Sequence, residues 1–287
     1  MKINDLPPLR TVLETNNLSP TKALGQNFLL DLNLTARIAR SAEPLDGCHL
    51  IEVGPGPGGL TRALLQTGAQ SLLAIEKDTR TAPILDQLAQ TEEGQAKGFR
   101  VAFQDALELD LLTEVSAPRA IIANLPYNVA TPLLVGWLRD LWREAGAYRS
   151  LSLMFQREVV DRIVAQPGDK AYGRLAVLTS LTVASAERQF DVPAQAFTPP
   201  PKVTSAIVRL DPRSDIPGPF ALFSQIERVT AAAFGQRRKM LRQSLKSLVP
   251  QAEAFLEELE IPPTARAEER APEDFRKIAE ALLSALD

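Results

Sequence analysis

Cysteine and histidine are nearly absent from this chain. Cys48 and His49 are the only ones among 287 residues. One cysteine forms no internal disulfide, which suits a reducing compartment. The two residues alone cannot build a structural zinc site; no metal is expected, and a mechanism needing two histidines is excluded. A surplus of positive charge is also missing. Thirty-two Lys and Arg stand against 35 Asp and Glu, a net charge of −3. No global basic field recruits nucleic acid, so any basic patch must be local. Met1–Asn16 carries Lys2, Asp5, Arg10 and Glu14 and lacks the apolar run of an export signal. Ala120–Leu138 is free of charge, but Asn124, Pro126, Asn128 and Pro132 interrupt it. Such breakers do not suit a lipid-exposed helix. No repeat of 20–50 residues and no low-complexity segment is visible. These absences lead us to expect a cytoplasmic protein without a membrane partner.

What is present is ordinary globular composition, 45% hydrophobic and 23% charged, which excludes a disordered or collagenous chain. The length suggests about two domains. Short apolar runs read as strands at His49–Val53, Ser71–Ile75, Arg100–Phe103, Ala120–Ala123, Ser150–Phe155 and Ala206–Leu210. Helical spacing appears in Asp31–Ala42, Leu60–Gln66 closed by Gly68, Thr81–Gln90 and Pro132–Arg143. Leu175–Ala184 is a charge-free apolar stretch. Strands alternating with helices predict a parallel α/β sheet, in which ligands bind beyond the carboxyl ends of the strands. Three prolines and a glycine between Pro212 and Pro219 suggest a boundary, and the pattern beyond it is helical. We expect two units, 1–211 and 212–287. Within the second, Arg228, Arg237, Arg238, Lys239, Arg242 and Lys246 form a run free of acidic residues.

Gly54, Gly56 and Gly59 fit G-x-G-x-x-G between a strand and a helix. Glu76 follows 22 residues after Gly54, at the next strand end, where a carboxylate can hydrogen-bond ribose hydroxyls. Dinucleotides and S-adenosylmethionine share this geometry. Glu52 discriminates between them. A carboxylate opposes a pyrophosphate at a helix N-terminus, whereas it suits a ligand carrying a sulfonium and an amino group. The reading therefore favours S-adenosylmethionine. Pro57 adds a proline inside the loop and should stiffen its turn. Asp105 has two readings, an acceptor for an adenine amine or the N-cap of a helix over 106–112.

Asn124-Leu125-Pro126-Tyr127 follows the fourth strand. An amide and an aromatic beside a cofactor loop suggest a planar amine substrate. An exocyclic adenine amine is a poor nucleophile because its lone pair is delocalised. Two hydrogen-bond acceptors, the Asn124 side-chain oxygen and the Leu125 carbonyl, favour a pyramidal nitrogen, and Tyr127 can stack on the base. Pro126 also fits an ordinary turn. Phe197 lies in Phe-Thr-Pro-Pro-Pro-Lys-Val, where three prolines stiffen a loop able to present the ring. It reads equally as a core residue beside a spacer.

These segments together resemble the small-subunit ribosomal RNA adenine N6,N6-dimethyltransferases. The matching stretches are Leu24–Leu29, Glu52–Gly59, Glu76, Gln104–Ala106, Asn124–Tyr127, Phe155–Val159, Ala171–Leu175 and Phe197–Val203. They span roughly residues 22–210 in the family's order. The resemblance implies a Rossmann-like S-adenosylmethionine-dependent methyltransferase domain with a small all-helical C-terminal domain. It implies cofactor contacts at Asn27, Leu29, Gly54, Glu76, Asp105 and Asn124. It implies target-adenine contacts from Asn124, Tyr127 and Phe197, which with Leu125 and Pro126 make up the expected catalytic set. The implied reaction places four methyl groups on N6 of two adjacent adenosines near the 3′ end of 16S rRNA in the 30S subunit, with a role in ribosome biogenesis. A member of such a family is expected to be basic, and this chain is slightly acidic. The Arg228–Lys246 run is the expected RNA contact, and a monomer is the default oligomeric state. Competing readings are the related large-subunit methyltransferase of macrolide resistance, a non-catalytic RNA-binding assembly or transcription factor on the same fold, and an NAD-dependent oxidoreductase.

Overall fold

The computed structural model describes residues 1–215 and 218–285. Ile216 and Pro217, in the expected boundary, and Leu286 and Asp287, in the expected helical end, lie outside the described residues. The strands in chain order are β1 (Phe28–Leu29), β2 (His49–Val53), β3 (Ser71–Glu76), β4 (Arg100–Phe103) and β5 (Arg119–Asn124). They continue with β6 (Ser150–Gln156), β7 (Val183–Val192), β8 (Phe197–Thr198) and β9 (Ser205–Pro212).

Seven of them form one sheet in the order β4-β3-β2-β5-β6-β9-β7. β2 through β6 are mutually parallel, while β9 runs antiparallel to both β6 and β7. The expectation of a parallel sheet therefore holds for the strands that end at the cleft and not for the far edge. β7 escaped the sequence reading because Glu187, Arg188 and Gln189 break its apolar pattern, as an edge strand permits. β1 and β8 form a separate antiparallel ribbon pairing Phe28 with Thr198 and Leu29 with Phe197.

Alternation along the central strands fills both faces of the sheet. Ile51, Leu73, Ile75, Ile121 and Ala123 enter one core, and Leu50, Leu72, Ala74, Ala120 and Ile122 the other. Strands buried on both faces read as continuous apolar runs, which is why the sequence revealed them. The chain leaves β2 toward β3 and β4, then crosses back to β5 and β6. This reversal opens a crevice at the carboxyl ends of β2 and β5, the usual ligand position in a doubly wound sheet.

One helix begins earlier than expected. Tyr127–Arg143 is continuous, with Pro126 before it and Pro132 inside it. Starting at Tyr127 directs the first turn into the crevice. The C-terminal helices Phe220–Gly235, Leu241–Ser244, Ala252–Glu258 and Pro272–Ser284 share the first core. Phe223 meets Trp142 at 5.6 Å between ring centroids, and Phe234 links Tyr172 to Phe275. No helix among the described residues is long and apolar enough to cross a membrane.

Candidate active site

Each parallel strand ends in one piece of the cleft. β2 supplies Glu52 and the turn from Gly54, β3 supplies Glu76, β4 leads into Gln104–Ala106, and β5 ends in Asn124–Tyr127. The β1–β8 ribbon adds Asn27, Phe28, Leu29 and Phe197. All ten residues expected to bind the cofactor or the target line this one cleft.

The glycine turn is shaped for a close approach. Gly56 has φ +52°, where L-residues are strained, and its N–H donates to Glu76 Oε2 at 3.0 Å. A Cβ on Gly59 would lie 2.5 Å from the Leu29 carbonyl oxygen, so the ribbon can pass only over a glycine. Pro57 fits within the turn, which the Gly58 N–H closes on the Pro55 carbonyl at 2.9 Å.

Three carboxylates converge here in different states. Glu76 Oε1 accepts from the N–H groups of Lys77 and Asp78, both at 2.8 Å. Burial raises its pKa, and the backbone donors at Asp78, Gly56 and Lys77 oppose the rise. Glu52 is only 1% exposed, and its Oε2 has no hydrogen-bond partner among the described residues. Burial pushes its pKa up to about 8, and Glu76 adds to the rise. Asp105 is held ionised by Lys77, whose Nζ donates to Oδ2 at 2.7 Å. Its Oδ1 accepts from the Leu107 N–H at 3.0 Å. The helix over 106–112, the alternative reading of Asp105, does not form. A turn occupies 106–108, and the short helix Leu111–Glu114 is capped by Asp110 instead. Asp105 thus stays at the cleft wall.

At the other end, Leu125 is buried, and neither its carbonyl nor the Asn124 side chain bonds a protein group among the described residues. Two acceptors are left free beside the carboxylate cluster. The Tyr127 hydroxyl shares a 2.6 Å hydrogen bond with the Ser205 hydroxyl at the start of β9. Phe197 is buried in the second core and also lines the cleft. Ser205, 78 residues from Tyr127, was invisible to sequence reasoning. Lys77, adjacent to Glu76, was within reach of it and went unread.

The basic run lies apart, in the C-terminal helices and the turn between them. Half of it is already engaged. Arg228 donates to Gln225, Arg237 pairs with Glu268 at 2.6 Å, and Arg242 pairs with Glu253 at 2.6 Å. Arg238, Lys239 and Lys246 are exposed and have no ion-pair partner among the described residues.

The donor set tests which ligand fits. Three acidic side chains and one lysine, itself paired with Asp105, are the charged groups lining the cleft among the described residues. That balance repels a pyrophosphate and suits a cationic ligand with a ribose and a base. The unpartnered Glu52 oxygen leaves a buried carboxyl without a counter-ion, protonated in the free protein, which a bound cation would favour in its ionised form. Doubly wound sheet, glycine turn and acidic cleft define the class: a Rossmann-like methyltransferase. The family model described as "Ribosomal RNA adenine dimethylase" matches residues 17–283. "Ribosomal RNA small subunit methyltransferase A" of Ruegeria sp. (strain TM1040) is 54% identical over 283 residues, 98% of each chain. The protein of the same description from Paracoccus denitrificans (strain Pd 1222) is 53% identical over 286 residues, 99% of this chain and 98% of that one. The chain belongs to the ribosomal RNA adenine dimethylase family. Among solved structures, a dimethyladenosine transferase from Plasmodium falciparum shares the fold at TM-score 0.73 and 23% identity, covering 88% of this chain and 96% of that one. The 23S rRNA methyltransferase ErmE is similar at TM-score 0.64 and 27% identity, covering 89% and 99%.

Proposed function

We propose that this protein uses S-adenosylmethionine to place four methyl groups on N6 of two adjacent adenosines near the 3′ end of 16S rRNA in the small ribosomal subunit. The observation that carries the reading is the pair of free acceptors, Asn124 Oδ1 and the Leu125 carbonyl, beside an acidic cleft. When bound, S-adenosylmethionine supplies an electrophilic methyl group on a sulfonium whose leaving group is neutral. The protein's own work is positional. Asn27, Leu29, Gly54, Glu76 and Asp105 hold the cofactor, with Glu76 facing the ribose and Asp105 the adenine. Asn124 and Leu125 accept the two amine hydrogens and localise the nitrogen lone pair toward the methyl donor. Pro126 fixes the turn, and Tyr127 and Phe197 enclose a target base extruded from the RNA. The methylated nitrogen then releases its proton without a strong base, which matches a cleft without histidine. Catalysis rests on orientation and preorganised dipoles.

The basic residues Arg228, Arg237, Arg238, Lys239, Arg242 and Lys246 supply the local field for rRNA phosphates that the acidic whole lacks. In this reading residues 1–211 carry the chemistry and 212–287 the RNA contact, in a cytoplasmic monomer that takes part in ribosome biogenesis. The test is methyl transfer from labelled S-adenosylmethionine to unmethylated small subunits, with naked rRNA and large subunits in parallel and the product nucleoside identified. Dimethyladenosine made on small subunits is the expected result. Product on large subunits would favour the macrolide-resistance activity. No transfer with cofactor binding intact would favour an assembly factor.

A further inference from the structure

Gln26 lies in the Leu24–Leu29 stretch, between residues that face the cofactor cleft, yet the reaction above gives it no task. Both ends of its amide are engaged. Oε1 accepts from the Thr21 N–H at 2.8 Å, and Nε2 donates to Asp78 Oδ2 at 2.8 Å. The orientation of the amide follows from its partners, since an N–H only donates and a carboxylate only accepts. Arg80 closes the circle. Its Nε donates to Asp78 Oδ1 at 2.8 Å, and Nη2 reaches Asp78 Oδ2 and Thr21 Oγ1, both at 2.6 Å.

We propose that Gln26 is a positioning residue that straps segment 21–29 across the cofactor cleft by bonding to the Asp78 carboxylate. The proposal rests on the cofactor reading given above. Asp78 is a firm post: it is 5% exposed, and its Oδ1 accepts from the Arg80 N–H at 3.2 Å at the start of the Thr79–Thr81 turn. Arg80 keeps its carboxylate ionised. The Asp78 N–H donates to Glu76 Oε1, so one short loop presents Glu76 to the cleft and anchors the strap. Beyond Gln26 the chain delivers Asn27, Phe28 and Leu29 to the cleft. Phe28 lies against the glycine turn, where a Cβ on Gly56 would sit 3.2 Å from its ring. The far end of the strap is pinned by pairing of Leu29 with Phe197. The ribbon thus holds one end and the Gln26–Asp78 bond the other. Between them, the Asn27 side chain makes one hydrogen bond, to the Gly25 carbonyl at 3.2 Å. Gln26 itself lines the cleft, and with both ends of its amide engaged it acts there through this bond.

The test uses the full chain. Hydrogen exchange of the amides at 21–29 is measured in the free protein, and the dissociation rate of S-adenosylmethionine by displacement. Gln26→Ala should speed both roughly tenfold, the effect expected for one hydrogen bond to a charged group, and should leave exchange in β2–β6 unchanged. Gln26→Glu should loosen the strap similarly, because it sets two carboxylates together. Gln26→Met keeps the length of the side chain, removes both hydrogen bonds and leaves the Asp78–Arg80 pair in place, and it should match Gln26→Ala in both rates. A role in filling space alone would leave Gln26→Met like the native protein. Unaltered exchange at 21–29 in Gln26→Ala, or native behaviour of Gln26→Met, would overturn the strap. Should the native protein not bind S-adenosylmethionine, the cofactor reading fails, and exchange in the free protein still decides the strap.

Discussion

Glu52→Gln tests the electrostatics of the cleft at its deepest point. The variant keeps the shape of the side chain and removes its titration. In the folded chain burial raises the Glu52 pKa from 4.5 to about 8. Between those values the folded state holds a proton that the unfolded state has lost. Unfolding releases it, so this contribution to stability is complete below about pH 4.5 and declines as pH rises toward 8. The decline is ~1.4 kcal/mol per pH unit, or ~5 kcal/mol in all. From pH 5 to pH 8 that corresponds to a difference of order 10 °C in Tm for a chain of this size. The assay is thermal unfolding of both proteins without ligand at pH 5, 6.5 and 8. Groups such as Glu76 titrate in both, so the difference between the curves reads Glu52 together with its coupling to Glu76. Native stability should fall relative to Glu52→Gln as pH rises. The same carboxyl predicts the opposite trend for ligand affinity. A cation bound beside it favours the ionised form, so S-adenosylmethionine binding should release a proton and tighten with pH up to about 8. Calorimetry in buffers of different ionisation enthalpy reads that proton directly. Parallel Tm profiles for the two proteins, with no proton released on binding, would refute the reasoning.

Asn124→Ala should lower kcat by about 10²–10³, the usual cost of one preorganised polar contact, while RNA affinity stays largely intact; equal turnover would sink the acceptor role. Tyr127→Phe and Ser205→Ala each remove the same hydrogen bond and should each slow methyl transfer by roughly fivefold, from ~1 kcal/mol. Their double variant should be no slower than either alone, and additive losses would show that the hydroxyls act separately. Phe197→Leu keeps most of the buried volume and should reduce turnover more than S-adenosylmethionine affinity; a parallel fall of both, seen by calorimetry, would make Phe197 purely structural. Joint replacement of Arg238, Lys239 and Lys246 by Ala should weaken rRNA binding and flatten its salt dependence, by about 0.7–0.9 in log–log slope per lost phosphate contact. An unchanged slope would place the RNA elsewhere.

The central strands are legible because they are buried on both sides, and His49–Val53 has the bounds its apolar run predicts. The edge strand Arg100–Phe103 is only half-buried, and its bounds follow from the turns that flank it. The site was legible because doubly wound sheets gather their ligands at strand ends, so residues just past each apolar run were the natural candidates. The far edge was less so. β7 carries charge because one of its sides meets solvent, and the early start of helix Tyr127–Arg143 is concealed by Pro126 and Pro132.

By itself the sequence determined the central strands, the acidic character of the cleft and the family, because local periodicity and motif spacing are properties of the chain. Only the tertiary structure decided what each polar group does. Asp105 has no helix to cap and turns to Lys77, and Arg237 and Arg242 are paired with Glu268 and Glu253. Tyr127 is tethered to Ser205, and Gln26 to Asp78. These partners lie 11 to 78 residues apart. A hydrogen bond is set by ångström distances that no spacing along the chain encodes. The Glu52 pKa likewise depends on how much water the assembled core excludes.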